Sequence, residues 1–187
     1  KETTGDIAQK LAEFIDFSGR FLKFAEKLFK LNLEIKTQIH GTSSLEVAQC
    51  NTFIGLHLLN KGNYELAKEY LLQSYASKNS KLGIHDDTLI DVAALGIAYG
   101  RTNMPLSAEP MFLKDIQDTK LLHGEDSVEF ATACNNVGVF FRTEGRFEEA
   151  ESYLQNALAI RMLKFGRNDL KVANTLSNLG VLKSRND

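Results

Sequence analysis

The feature that most constrains this chain is a period. Glycines recur at Gly41, Gly83, Gly124 and Gly166, spaced by 42, 41 and 42 residues. A second series, Gly55, Gly96, Gly138 and Gly180, runs at 41, 42 and 42. A third register aligns Gly62, Asn103 and Gly145, and Ala67, Ala108 and Ala150 follow it at the same period. Three registers with one period predict a row of like units. Each is too small to bury its own apolar face and gains a core by stacking on its neighbours.

Each unit reads as two helices. In the clearest one, Asp126-Ser127-Val128-Glu129 predicts a helix start, with Asp126 as the capping acid and Glu129 three residues on. Ser43-Ser44-Leu45-Glu46 has the same form. Apolar residues then recur along Val128, Ala131, Cys134, Val137 and Phe141, a helical and not a strand spacing. Thr143-Glu144-Gly145-Arg146 breaks that helix, with Gly145 suited to a left-handed cap. A second helix follows, with Phe147, Ala150, Tyr153, Leu154, Ala157 and Leu158 on one stripe.

Glycine inside a helix costs about 1 kcal/mol relative to alanine. Its return at one phase, Gly55, Gly96, Gly138 and Gly180, therefore implies that the paired helix approaches closely there. The first unit is fainter. Ser18-Gly19-Arg20-Phe21 parallels Glu144-Gly145-Arg146-Phe147, and Ala12 takes the place of Gly138. The expected architecture is all-α, with four helix pairs and a final single helix near Asp169–Ser184. The chain starts without Met and stops partway through a unit, which reads as a piece of a longer protein.

Composition limits the function classes. A net charge of −2 gives no basic footprint for nucleic acid. The longest apolar runs, such as Val137–Phe141, are far short of the roughly 20 residues of a membrane span. Lys1–Asp6 has no apolar signal segment. Cys50 and Cys134 lack a CxxC spacing or a histidine neighbour, so they read as small buried packing residues and favour a reducing, cytoplasmic setting. His40 and His123 hold equivalent positions before inter-unit glycines, and the histidines read as surface-loop residues that do not converge. The glycines are spread by the repeat and form no phosphate-binding loop. No catalytic residue, metal site or cofactor is expected.

Several segments carry a family resemblance. Ala108-Glu109-Pro110-Met111, Asn135-Asn136-Val137-Gly138, Glu149-Ala150-Glu151-Ser152-Tyr153, Ala157-Leu158-Ala159-Ile160 and His123-Gly124-Glu125-Asp126-Ser127-Val128 resemble the tetratricopeptide repeat. The likeness is to the long-unit variety of kinesin light chains, since the common unit is about 34 residues. It implies a right-handed superhelical solenoid of helix hairpins, one array over 1–187. Its units are approximately 1–40, 41–82, 83–123, 124–165 and a partial 166–187. Pro105 departs from the aromatic at Tyr64 and Phe147, and Pro110 follows, making the third unit the least regular.

By the same resemblance, first helices line a concave groove, and an asparagine two residues before the glycine phase holds a peptide backbone. An amide suits that task because it both donates and accepts. The place is taken by Lys10, Phe53, Ala94, Asn136 and Asn178, of which only Asn136 and Asn178 match. Thr132, Asn135, Arg142 and Asn174 are further groove candidates, with Arg101 and Arg185 near the rim. For the asparagines the other reading is an inter-helix hydrogen bond that sets unit spacing. The middle units carry Phe53, Ile90, Ala94, Ile97 and Gly100, either an apolar groove or core. Kinesin-light-chain grooves take acidic or tryptophan-containing peptides, and here the arginines form only a partial clamp beside Asp6 and Asp16.

The expectation is thus a protein-interaction scaffold, an adaptor for cargo or a complex, that holds a peptide or partner helix. Two alternatives stay open: an assembly element joined through solenoid ends, or the regulatory part of a larger enzyme.

Overall fold

The computed structural model describes Asp6, Lys10 and residues 22–184. The first helix of the first unit, with Ala12, Asp16 and Ser18–Phe21, lies outside the described residues, as does Arg185. Among the described residues no strand occurs, and eight bounded helices follow one another. They are α1 (Leu22–His40), α2 (Leu45–Asn60), α3 (Tyr64–Leu82) and α4 (Asp86–Arg101), then α5 (Pro105–His123), α6 (Val128–Thr143), α7 (Phe147–Phe165) and α8 (Leu170–Lys183).

The period is visible in the lengths. First helices α2, α4 and α6 have 16 residues each, and second helices α3, α5 and α7 have 19. Serine starts two of the first helices. Ser44 Oγ accepts from the Val47 amide at 3.2 Å, and Ser127 Oγ from the Phe130 amide at 3.0 Å. The expected cap at Asp126 is therefore displaced by one residue, and Asp126 is exposed. At α8 an acid does cap, Asp169 Oδ1 accepting from the Lys171 amide at 2.7 Å.

The hairpin turns need a left-handed residue. Gly62 and Gly145 supply it at φ 77° and 76°, and Asn103 takes the same place at φ 56°. Asparagine is among the few side chains that tolerate this region. Pro105 stands at the first position of α5, where a missing amide costs nothing. Pro110 lies inside α5 and frees the Leu106 carbonyl, but Leu106 is 90% exposed, so water reaches it and the helix continues.

The chain divides into two compact units, Lys1–Ala98 and Tyr99–Asp187. In the first, α2 packs between α1 and α3 around Phe29, Ile54, Leu58 and Leu71. Gly55 lies where α3 comes closest, and a Cβ there would sit 2.6 Å from Leu71 Cγ. His57 departs from the surface reading of the histidines. It is buried in α2, its ring centroid 5.4 Å from that of Phe29. Ala94 is buried, whereas Ile90 and Ile97 of the same helix are exposed. In the second unit α6 packs on α5 and α7, and Ala108, Phe112, Val137, Phe141, Ala150 and Leu154 share a core with Leu179 and Leu182 of α8. A Cβ on Gly138 would meet Leu154 Cγ at 2.6 Å and the Ala150 carbonyl oxygen at 3.1 Å. The close approach expected at this phase is present at Gly55 and Gly138, with the leucine four residues after the alanine filling the notch, whereas at Gly180 no described atom comes within 4 Å of a Cβ position.

Polar groups are buried between successive helices of the first unit. Cys50 Sγ accepts from Asn32 Nδ2 at 3.1 Å across α1 and α2. Both cysteines are free and buried, and burial pushes Cys50 up to about 11 and Cys134 up to about 12, so neither thiol is reactive. Between α3 and α4, Asp91 accepts from Thr52 Oγ1 at 2.6 Å and from Ser74 Oγ at 2.7 Å, with Lys78 Nζ at 3.1 Å. Lys78 also donates to Thr52 Oγ1 and to the Asp87 carbonyl.

Asp115 in α5 is buried without such a cation. Thr119 Oγ1 donates to it at 3.4 Å, and Asp118, paired with Lys114 at 2.7 Å, adds a like charge nearby. Burial pushes the Asp115 carboxyl up to about 7 from an ordinary 3.8. A carboxyl raised on folding contributes stability that is complete below its unfolded value and is lost as pH rises through the folded one. The second unit should therefore weaken between pH 4 and 7 in its dependence on this group. Asp115→Asn is expected to stabilise the chain at pH 8 by on the order of 2 kcal/mol, less than the full titration because the amide stays a buried polar group. Urea unfolding at pH 5 and pH 8 reads this directly. An Asn variant with the wild-type pH dependence would show that Asp115 does not titrate in this range.

No described helix is long and apolar enough to cross a membrane.

Candidate functional site

The sequence candidates gather on one stripe of α6 and on the facing part of α8. At 3.6 residues per turn, Thr132, Asn135, Asn136 and Arg142 fall on one side of α6. Asn174 and Asn178 stand four apart on α8. Thr132 and Asn174 are exposed, and Asn135, Asn136, Arg142 and Asn178 are half-buried. Arg101 is exposed in the last turn of α4.

Two of the asparagines meet. Asn178 Nδ2 donates to Asn135 Oδ1 at 3.1 Å and joins α6 to α8. The Asn178 amide is thus partly engaged in setting unit spacing. Asn136, at the phase expected to hold a peptide, makes no side-chain hydrogen bond among the described residues. Removing the first pair has a modest cost. Asn178→Ala leaves Asn135 without that donor and should lower stability by about 1 kcal/mol, whereas Asn136→Ala should leave it unchanged. Denaturant midpoints that rank the two variants the other way would contradict these roles.

Sequence reasoning missed Arg161. It lies in α7, is 6% exposed, and bridges the two first helices. Its guanidinium donates to Thr175 Oγ1 at 2.7 Å, the Lys171 carbonyl at 3.2 Å and Thr132 Oγ1 at 3.4 Å. Thr132 in turn donates to the Val128 carbonyl at 2.9 Å, so this groove candidate is held from both sides. Burial lowers the Arg161 pKa, and Asp169 acts in the opposite sense. The available signal is again the period. Lys78, Thr119 and Arg161 each follow Ala67, Ala108 and Ala150 by 11 residues, while Asp91, Ala133 and Thr175 each precede the helical glycine by five. Where the first unit sets Lys78 against Asp91, the second sets Arg161 against the neutral Thr175.

Arg146, at the hairpin turn, supports the same region from behind. It stacks over the Phe141 ring at 4.0 Å and pairs with Glu109 of α5 at 2.7 Å and Glu149 at 2.6 Å. Those carboxylates hold it well above the usual arginine value.

Paired helices with a glycine notch, a left-handed turn and a serine-capped start define a helical-hairpin repeat protein. The repeats are tetratricopeptide repeats, matched by the family description over residues 129–187 and 48–80. The chain is 28% identical over 160 residues to Protein Kinesin Light Chain-Related 1 of Arabidopsis thaliana, covering 83% of this chain and 25% of that protein. It thus spans about a quarter of that relative's length. Among solved structures, BtubC (BKLC) from P. vanneervenii superposes with a TM-score of 0.81 at 20% identity, over 95% of this chain and 70% of that one. The putative kinesin light chain with nearly identical TPR-like repeats from Podosopora anserina gives 0.81 at 15% identity, over 100% of this chain and 89% of that one. The fold is that of these tetratricopeptide solenoids, with kinesin-light-chain-like repeats. Such repeats are protein-interaction folds.

Proposed function

We infer that this chain is a non-catalytic scaffold, a single array acting in the cytoplasm as an adaptor, which holds an extended peptide or a partner helix against α6 and α8. The observation that carries this reading is Asn136. It is a half-buried amide with no side-chain partner, next in sequence to Asn135 of the Asn135–Asn178 pair and one helical turn on from Thr132. A half-buried amide with no protein partner is left to water, and a peptide backbone supplies the donor and acceptor that would replace that water. Arg142 and Asn174 on the same faces would extend the contact, and Arg101 would serve acidic residues at its rim; Arg185, named for the same part, lies outside the described residues. A non-catalytic role is supported by the placement of Asp91 and Asp115, both buried in helix packing and out of reach of a substrate. A net charge of −2 argues for a protein rather than a nucleic acid as partner. Selection of displayed random peptides on the chain, with amide-shift mapping of a selected peptide, tests the site. Shifts centred on α6 and α8 are expected, and shifts confined to second helices would reject it.

A second reading, end-to-end assembly, is favoured by one observation. Among the described residues no atom lies within 4 Å of a Cβ position on Gly180, and Leu170, Leu176 and Val181 of α8 are exposed. Sedimentation across concentration separates the readings, since a monomer throughout leaves only the scaffold.

A further inference from the structure

The compact unit Lys1–Ala98 holds a cleft on the opposite side of α2 from the groove phase. Three helices line it, each with residues four apart: Leu33 and Thr37 from α1, Val47 and Asn51 from α2, Gln73 and Ser77 from α3. Thr42 closes one end, and the volume is about 340 Å³, at the low end of the roughly 300–1,000 Å³ of small-ligand pockets. Asn51 lies two residues before Phe53, so it points roughly 160° around the helix from the groove phase.

Asn51 forms the floor. It is 4% exposed, its Nδ2 reaches Gln73 Oε1 only at 3.5 Å, and its Oδ1 has no hydrogen-bond partner. A buried carbonyl oxygen in that state is costly, and the natural remedy is a donor entering from the cleft. The lining specifies that donor's chemistry. Among the described residues no ionisable side chain lines the cleft; the polar groups are three hydroxyls and two carboxamides, set beside the apolar carbons of Leu33 and Val47. Thr37 Oγ1 already donates to the Leu33 carbonyl at 2.7 Å and so presents its lone pairs. A charged ligand would lose its hydration for no counter-charge. A peptide unit is neutral and carries an N–H and a C=O in one plane, with small apolar groups on either side.

We propose that this cleft is a second binding site, which takes a short neutral peptide segment whose backbone N–H donates to Asn51 Oδ1. The carbonyl of the same segment accepts from the Ser77 or Thr42 hydroxyl. This site is independent of the α6–α8 reading, shares no residue with it and survives its failure.

The test uses N-acetylglycinamide as the probe, titrated into the whole isotope-labelled chain, with glucose as a hydroxyl-only control. Saturable shifts of the Asn51 and Gln73 side-chain amides and of the Thr37, Thr42 and Ser77 backbone amides are expected with the first and not the second. Asn51→Leu should weaken the response roughly tenfold, the effect of one lost hydrogen bond. Gln73→Lys, at an exposed rim position, lays a long cation across the cleft and should abolish the response without changing the melting temperature, so the outcome does not depend on Asn51→Leu folding. No saturable shift in the wild-type chain, an equal response to glucose, or an undiminished response in Gln73→Lys would overturn the proposal.

Discussion

Gly138→Leu should unfold the second unit or leave it barely stable. The new Cβ would lie 2.6 Å from Leu154 Cγ and 3.1 Å from the Ala150 carbonyl oxygen. The leucine could rotate away, but the backbone oxygen belongs to α7 itself, so the two helices would have to part. Parting them opens the core shared by Val137, Phe141, Ala150 and Leu154. Overpacking a core costs about 1–3 kcal/mol and occasionally more, and loss of packing around the notch adds to it. A total of about 3 kcal/mol or more is expected. Gly180→Leu is the matched control. It stands at the same phase of α8 with no described atom within 4 Å, so it should be neutral, or stabilising by up to about 1 kcal/mol through helix propensity. The melting temperature should fall for Gly138→Leu and hold or rise for Gly180→Leu. A shared response would mean that the glycine phase reflects something other than helix approach.

Asp91→Ala should cost about 3–5 kcal/mol, the usual result of removing one partner of a buried ion pair. Asp91 is wholly buried and accepts from Thr52, Ser74 and Lys78, and Lys78 is itself buried. Burial pushes the Asp91 carboxyl up, while Lys78 and the two hydroxyls act in the opposite sense. Deleting the carboxylate leaves an ammonium with Thr52 Oγ1 and the Asp87 carbonyl as its neutral acceptors. The double variant Lys78→Met with Asp91→Leu should recover most of the loss, because an apolar pair of similar volume replaces a buried ion pair at little cost. Urea unfolding at pH 7 gives both values. A single-variant loss below about 1 kcal/mol would place the pair in a solvated setting instead.

The backbone plan was legible because its signals are local and repeated. Gly145 and Asn103 mark left-handed turns on residue type alone, and Gly138 marks a notch because its cost recurs at one phase. The capping serine was read one residue early because Asp126 and Ser127 are both good caps, and only the backbone at Ser127, φ −83° and ψ 156°, decides between them. The site was less legible. Lys78 and Arg161 look like solvated charges on a second helix, and their burial depends on what the next first helix sets opposite them. That residue lies 13 or 14 positions on, Asp91 in one case and Thr175 in the other. The partnership of Asn178 with Asn135 spans 43 residues, and residue type alone did not say which neighbouring asparagine would be left unpaired. The cleft over Asn51 is invisible in sequence because Leu33, Asn51 and Gln73 converge from three helices.

In the proposed role Asn136 holds a peptide backbone while Asn135 and Asn178 hold the helices. Its most direct measurement is the affinity of one selected peptide for the wild-type chain and for Asn136→Ala, by calorimetric titration beside a melting curve. Binding should weaken roughly tenfold, the effect of one to two hydrogen bonds, with an unchanged melting temperature. Equal affinity in the two proteins, with the peptide still mapping to α6 and α8, would contradict it.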